Sequence, residues 1–346
     1  MSADRGASRG ESRSRAHDRA SNRESGAILL ATLLIMSLMA TLVAEIGADT
    51  RASVRRTIAI EDGLQADHYL NGAEDYALAY ISQQFSEIDD AQLNVLLSVP
   101  QSATLPIPDG AVSLVIADGS HCAAPTDALV ENAPADTRLI NLFSTVANIP
   151  IFEAQSLMYA VRDWQDGDQN TDGIGAEDGN YLLREPAYRT ADSPMTTVAE
   201  LRAVRDMDRE RFALIAPWMC ARGQTAVPLN VNTIGPVDAP LFAASLGEGV
   251  LPENVLALLS TRPEGGWDAG ALEAAIESAG YAYDAELLGT EVEVLRVDIR
   301  VDYRGRTRQA RLYMQRSSGA RLSRVRGEAI PPLRPALVTE PSPSGV

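Results

Sequence analysis

Residues 26–47, GAILLATLLIMSLMATLVAEIG, decide how the rest of the chain is organised. They contain 18 consecutive uncharged residues, 27–44, almost all aliphatic. At about 1.5 Å per helical residue that run is about 27 Å long, close to the ~30 Å hydrocarbon core of a bilayer. No proline interrupts it, and a helix satisfies its own backbone polar groups, so it can sit in lipid. A buried core helix usually keeps a polar stripe. A cleavable secretory signal has an apolar region of ~7–15 residues before a small-x-small site, whereas here the helical pattern continues past Ala44. The stretch therefore predicts a retained single-pass anchor over 27–47.

The flanks set its orientation. Residues 1–25 carry six arginines against four acids among many Ser, Ala and Gly. They are too polar to build a core, and their basic balance keeps this end in the cytoplasm. Beyond the anchor, Leu64, Leu70, Ala73, Ala77, Tyr80 and Ile81 recur at helical spacing among charges. This is the pattern of one long helix that leaves the membrane and becomes an amphipathic stalk.

Composition narrows the function classes. The chain has 346 residues with 30 Lys+Arg and 47 Asp+Glu, a net charge of −17. Such a surface repels nucleic acid phosphates and anionic lipid. Cys122 and Cys220 are the only cysteines, and the histidines are at 17, 68 and 121. No Ser/His/Asp or Cys/His constellation is visible, so a membrane-anchored hydrolase lacks a nucleophile–base pair.

Taken in order, the stalk runs to about Ser86, and Pro100, Pro106 and Pro108 mark a loop. AVSLVIA at 111–117 reads as a strand ending at Asp118-Gly119, and TRLINLF at 137–143 as a second. From 146 to 285 helical patterns dominate, at 151–164, 196–215, 238–247, 252–261 and 268–278, and turn clusters separate them. Thr197 to Glu200 is a capping box. EVEVLRVDIRVDY at 291–303 returns to β alternation, with a phase slip at Leu295 that a bulge would explain. Ala310, Leu312 and Met314 alternate in a return strand. The expected fold is α+β: a long N-terminal helix packed on a small antiparallel sheet, with an all-α domain inserted between strands. The expected divisions are a leader (1–26), an anchor (27–47), a stalk with the first strands (48–145), the inserted domain (146–285), the closing strands (286–325) and a disordered tail (326–346).

The chemically informative stretch is DWQDGDQNTDGIGAED at 163–178. It crowds oxygen donors: Asp163, Asp166, Asp168, Asn170, Asp172, Glu177 and Asp178. Asp168-x-Asn170-x-Asp172-Gly173 fits the opening of an EF-hand loop. The closing bidentate Glu is missing, because the twelfth residue is Gly179 and Glu177 comes two early. Hard Ca2+ needs six to eight oxygens in flexible geometry, and the three glycines of the stretch let the backbone wrap an ion. The expected ligands are Asp166, Asp168, Asn170, Asp172, Glu177 and Asp178. Zinc would require nearby His or Cys.

A basic leader ending in Gly26, then Ala27 and an apolar helix, resembles the class III leader of type IV pilins and type II secretion pseudopilins. That class implies cleavage by a prepilin peptidase between Gly26 and Ala27. The common pattern has Glu at the fifth mature residue, where this chain has Ala31, a departure similar to that of minor pseudopilin K. The acidic loop, YLLREPAYR at 181–189, SPMTTVAELRAV at 193–204 and LNVNT at 229–233 extend the resemblance. It implies a pilin-like α/β domain with an inserted helical domain, calcium in the insertion and a subunit at the tip of a periplasmic pseudopilus. It also implies partnership with minor pseudopilins of the I and J type and with the major pseudopilin, and an inner-membrane location with a periplasmic bulk. Removing the leader, a net +2, leaves about −19 on the mature chain. In an oxidising compartment Cys122 and Cys220 are a candidate disulfide. LNVNT also looks like helix-hairpin-helix DNA-binding modules, which makes a DNA-uptake or type IV pilus component the competing reading. Few Lys or Arg accompany it, so Asn230 and Asn232 are read as capping turns, and Trp164, Trp218 and Trp267 as core.

Overall fold

A computed structural model describes residues 11–85, 88–129, 134–223, 227–316 and 321–327. Helix α1, Glu11–Gln84, runs without interruption. The chain divides into two compact units, Met1–Leu64 and Gln65–Val346. In the first, Ile28, Leu34, Met36, Val43 and Ile46 are each more than half exposed. This helix is long and apolar enough to cross a membrane. An unburied helix that is apolar all round has lipid as its natural solvent.

In the second unit the stalk residues Ala66, Leu70, Ala73, Ala77 and Ile81 form a buried stripe at three- and four-residue spacing. They pack on an antiparallel sheet in the order β1-β2-β5-β6-β7. The strands are β1 (Gln101–Ile107), β2 (Gly110–Asp118), β5 (Val294–Tyr303), β6 (Arg306–Gln315) and β7 (Arg321–Gly327). Val297, Ile299 and Val301 of β5 and Ala310 and Leu312 of β6 supply the facing core. Charge fixes the helix over the sheet edge as well. Buried Glu74 receives Arg324 at 3.2 Å and Arg326 at 2.7 Å, and Asp67 receives Arg308 at 2.8 Å.

β2 and β5 are adjacent although residues 119–293 separate them, and their pairing is continuous from Gly110↔Tyr303 to Asp118↔Leu295. The intervening residues build the helical insertion. It comprises α3 (Pro134–Ala147), α4 (Ile151–Asp163), α5 (Asp178–Tyr181), α6 (Arg209–Ile215), α7 (Ala239–Leu246), α8 (Pro252–Ser260) and α9 (Ala269–Ser278). A parallel pair, β3 (Leu229–Asn230) with β4 (Leu288–Gly289), closes it. Leu139, Leu142, Phe143, Leu157 and Phe242 are wholly buried in its core. α2 (Asp90–Leu97) links stalk to sheet, with the Asp89 side chain accepting from the Gln92 amide as a cap.

Four local expectations are corrected. Residues 137–143 belong to α3, because Leu139, Leu142 and Phe143 meet the core at helical spacing. The helical block therefore starts before residue 146. Residues 101–107, expected as loop, form β1; Pro106 is tolerated because β1 lies at the sheet edge. No bulge occurs at Leu295: β5 keeps one register with both neighbours. The apparent slip arises because both faces are covered there, Val294 by Tyr313 and the cysteines, Leu295 by the helix-side core. The register shift falls instead between β6 and β7 at Tyr313/Met314. Finally, β7 extends to Gly327, so residues 326 and 327 are strand, and the rest of the expected tail lies outside the described residues.

Candidate metal centre

The acidic loop leaves α4 at Asp163 and re-enters helix at Asp178. Asp163, Asp166 and Glu177 turn inward, each offering one carboxylate oxygen within 4.8 Å of the others. Asp163 is wholly buried and Glu177 nearly so. Asp163 Oδ2, Asp166 Oδ1 and both oxygens of Glu177 are buried without a hydrogen-bond partner. Three converging carboxylates with orphaned oxygens are costly unless a cation or protons join them. Burial first, then the charges of Asp163 and Asp166, pushes Glu177 up to about 8. Burial also dominates at Asp163, with the charges of Asp172 and Asp166 adding to it, and raises it to about 6. All-oxygen donors of this kind suit a hard cation.

The loop is held by its surroundings. The Asp172 amide donates to Asp163 Oδ1 at 3.1 Å. Arg205 donates to the carbonyls of Ile174 and Gly175, the latter at 2.5 Å, and its own amide donates to the Tyr181 hydroxyl at 3.0 Å. Trp164 meets Tyr181 and Tyr188 edge to face, and the two tyrosines are tilted against each other, at 5.3–6.1 Å between centroids. The Met195 amide donates to Gln165 Oε1 at 3.0 Å. Gly175 is required by close approach: a Cβ there would lie 2.1 Å from Asp163 Oδ2.

The carboxylates that converge are not the six expected as ligands. Asp166 and Glu177 are in the cluster. Asp168 uses Oδ1 to accept from the Asn170 amide at 2.7 Å, closing a local turn on the exposed side. Asn170 is exposed. Asp172 directs Oδ2 to Arg162 at 3.3 Å. Asp178 accepts from Arg189, the Thr190 amide at 3.0 Å and the Thr190 hydroxyl at 2.9 Å. The EF-hand-like triplet therefore shapes the loop, and Asp163 takes the inward place. Its signal in the sequence was position: an acid at the end of α4 beside Ala160, Val161 and Trp164, all core.

LNVNT is internal glue. Asn230 Nδ2 donates to Asn94 Oδ1 at 2.8 Å and Asp118 Oδ2 at 3.0 Å. Asn232 exchanges bonds with Trp267, its Nδ2 donating to the carbonyl and its Oδ1 accepting from the amide, both at 2.8 Å. Asn230 thereby ties the insertion to α2 and β2, and Asn232 ties two loops of the insertion together. Trp164 and Trp267 are core, and Trp218 packs against it. Cys122 and Cys220 form a disulfide with Cα atoms 5.7 Å apart.

A long N-terminal helix laid on an antiparallel sheet, with a helical block set between two adjacent strands, defines a pilin-like subunit with an inserted domain. A family model described as type II secretion system (T2SS), protein K, matches residues 113–224. The type II secretion system protein K of Aeromonas hydrophila is 30% identical over 227 residues, 62% of this chain and 68% of that protein. That of Klebsiella pneumoniae is 27% identical over 221 residues, 62% of this chain and 67% of that protein. A solved structure, the GspK-GspI-GspJ complex of the enterotoxigenic Escherichia coli type 2 secretion system, contains a chain that matches with a TM-score of 0.64 at 20% identity. The match covers 79% of this chain and all of that one. The chain belongs to the type II secretion system protein K family.

Proposed function

We propose that this chain is the minor pseudopilin at the tip of a periplasmic pseudopilus, where it helps initiate assembly for protein export. Its role is structural, with no catalysis. The observation that carries the reading is Ala31, where the class has Glu. That Glu neutralises the N-terminal ammonium of a neighbouring subunit, and an unpaired charge in low dielectric costs several kcal/mol. Without a carboxylate, this chain has no such contact to offer a subunit above it, although its own Ala27 ammonium can be paired from below. The bulk of residues 119–293 also suits a position with nothing stacked above.

Minor pseudopilins of the I and J type are the expected partners at the tip, as in the complex named above, with the major pseudopilin below. The anchor holds the chain in the inner membrane with its bulk in the periplasm. Prepilin peptidase removes residues 1–26, so sequencing of the mature protein should begin at Ala27. Immunogold labelling of overexpressed pseudopili should mark one end only; labels spaced along the shaft would remove the tip assignment.

Calcium is the proposed ion of the acidic loop, held by Asp163, Asp166 and Glu177. Its charge would offset the repulsion of the three carboxylates and tie α4 to α5. At 100 times Kd it should add about 2.7 kcal/mol, a melting shift of roughly 5–10 °C for a unit of this size. Asp163→Asn with Glu177→Gln should abolish the shift, and in chelator this variant should melt no lower than the parent. A shift that survives both substitutions would place the ion elsewhere.

A further inference from the structure

A cleft of about 440 Å³ lies between the helical insertion and the last strands, lined by Val198, Phe212, Met219, Tyr313, Val325 and Gly327 among others. Three guanidiniums border it, from Arg202, Arg311 and Arg326. Two are committed: Arg311 to Asp298 at 2.5 Å, Arg326 to Glu74 at 2.7 Å. Arg202 is exposed, lies over the Phe212 ring at 4.3 Å and has no ion pair among the described residues. An exposed arginine held over an aromatic ring keeps N–H groups open to solvent that can take a carboxylate in bidentate fashion.

The cleft also meets a strand edge. It touches Val325, Arg326 and Gly327 in succession. Neighbouring strand residues point to opposite faces, so a cavity touching three in a row reaches the backbone edge. β7 is the outermost strand and pairs only with β6 among the described residues. An open edge beside an apolar cleft is the arrangement that accepts an added strand, the backbone giving affinity and the alternate side chains specificity.

We propose that this cleft receives an extended segment of a partner protein, which pairs with β7 as a sixth strand and sets an Asp or Glu carboxylate on Arg202. Because side chains two apart share a face, the recognised pattern is apolar-x-acid-x-apolar, the apolar residues entering the cleft on either side of the acid. The strongly acidic remainder of the surface opposes general binding of acidic chains, which makes Arg202 the selective point. The site is independent of the loop carboxylates and of position in the pseudopilus.

The test uses the full chain in detergent and a fluorescein-labelled peptide, Thr-Val-Thr-Glu-Thr-Val-Thr, capped at both ends, read by fluorescence anisotropy. Saturable binding is expected, about tenfold weaker when Gln replaces the peptide's Glu. Arg202→Gln should make the two peptides equal without changing the melting temperature. Methylating alternate backbone nitrogens of the peptide should abolish binding in one of the two registers. Absence of saturable binding, equal binding of the Glu and Gln peptides to the parent, or indifference to methylation in both registers would each overturn the proposal. Binding that emerges only when residues 328–346 are removed would overturn it too, because the chain's own tail would then be the occupant.

Discussion

Replacing Cys122 and Cys220 together with serine is expected to lower the unfolding free energy by about 4.7 kcal/mol, the loss from opening a loop of about 100 residues in the chain-entropy model. The cysteines lie 98 residues apart. The loop they close holds α3, α4, the acidic loop and α6, so most of the insertion's early helices are constrained in the unfolded chain. In the folded state the two segments are already aligned. The Ala123 amide donates to the Trp218 carbonyl at 2.9 Å, and the Cys220 amide donates to the Ala123 carbonyl at 2.9 Å. Both cysteines are buried with Val227, Val294 and Tyr313, and Arg222 and the Gly119 carbonyl lie close enough to meet serine hydroxyls there, so the loss is that of the crosslink itself. Urea unfolding of the parent and the variant, both in calcium, measures the difference. A change under about 1 kcal/mol would mean that the unfolded chain is compact enough to make the crosslink redundant.

The elements legible in the sequence are those whose burial is one-sided. α1 beyond the anchor shows its stripe from Ala66 to Ile81 and β2 its alternation, because one face of each meets a core; β6 is read from Ala310, Leu312 and Met314, although Arg311 and Tyr313 on its other face are buried as well. Sequence reading failed where two influences overlap. In α3, Leu139, Leu142 and Phe143 are separated by a polar Asn141, which is itself buried and bonded to the Ala244 carbonyl, so the short run mimicked a strand. At the start of β5 both faces are covered and alternation disappears. β7, RLSRVRG, carries its arginines towards Glu74 across a long sequence gap, and nothing local announces such a strand.

The crowding of acids in the loop was legible, while the set that converges was only partly so: Asp166 and Glu177 were among the expected ligands and Asp163 was not. The EF-hand spacing names residues by their interval from Asp168, yet Asp168 bonds within its own turn. Which acids converge is decided by where α4 ends and α5 begins. Asp163 belongs to the core-facing end of one, and Glu177 precedes the other. Asp178, the very next residue, is taken by Arg189 and Thr190. A pattern of acids does not encode which of them meets a cation from the same chain; tertiary contacts settle it.

Asp127→Asn is expected to cost about 3–5 kcal/mol, the loss on breaking a buried ion pair from one side. Asp127 is wholly buried, and its carboxylate faces two equally buried guanidiniums. Arg138 donates to Oδ2 at 2.7 Å, and Arg222 approaches Oδ1 at 3.4 Å. Arg138 also reaches the Val227 carbonyl at 3.3 Å and Arg222 the Cys122 carbonyl at 2.6 Å, but the Nε of each is without a partner. An amide in place of the carboxylate leaves two positive charges with carbonyl dipoles alone, and it turns an acceptor for Arg138 into a weaker one. The pH dependence has a definite sign. Burial alone would raise the Asp127 pKa, but Arg222 and Arg138 outweigh it and hold the folded value below 3.8. A carboxylate with a depressed folded value contributes fully above its unfolded value and loses that contribution as pH falls through the folded one. The gap between parent and variant should therefore be the same at pH 7 and pH 5 and narrow only below 3.8. Arg222 also lies 3.4 Å from Cys220 Sγ, so the Asp127 and cysteine substitutions should be non-additive. The decisive comparison is urea unfolding of parent, single and combined variants at pH 7 and pH 5. A loss below about 1 kcal/mol, or a gap that already shrinks between pH 7 and pH 5, would show that the two arginines do not depend on Asp127 for their charge balance.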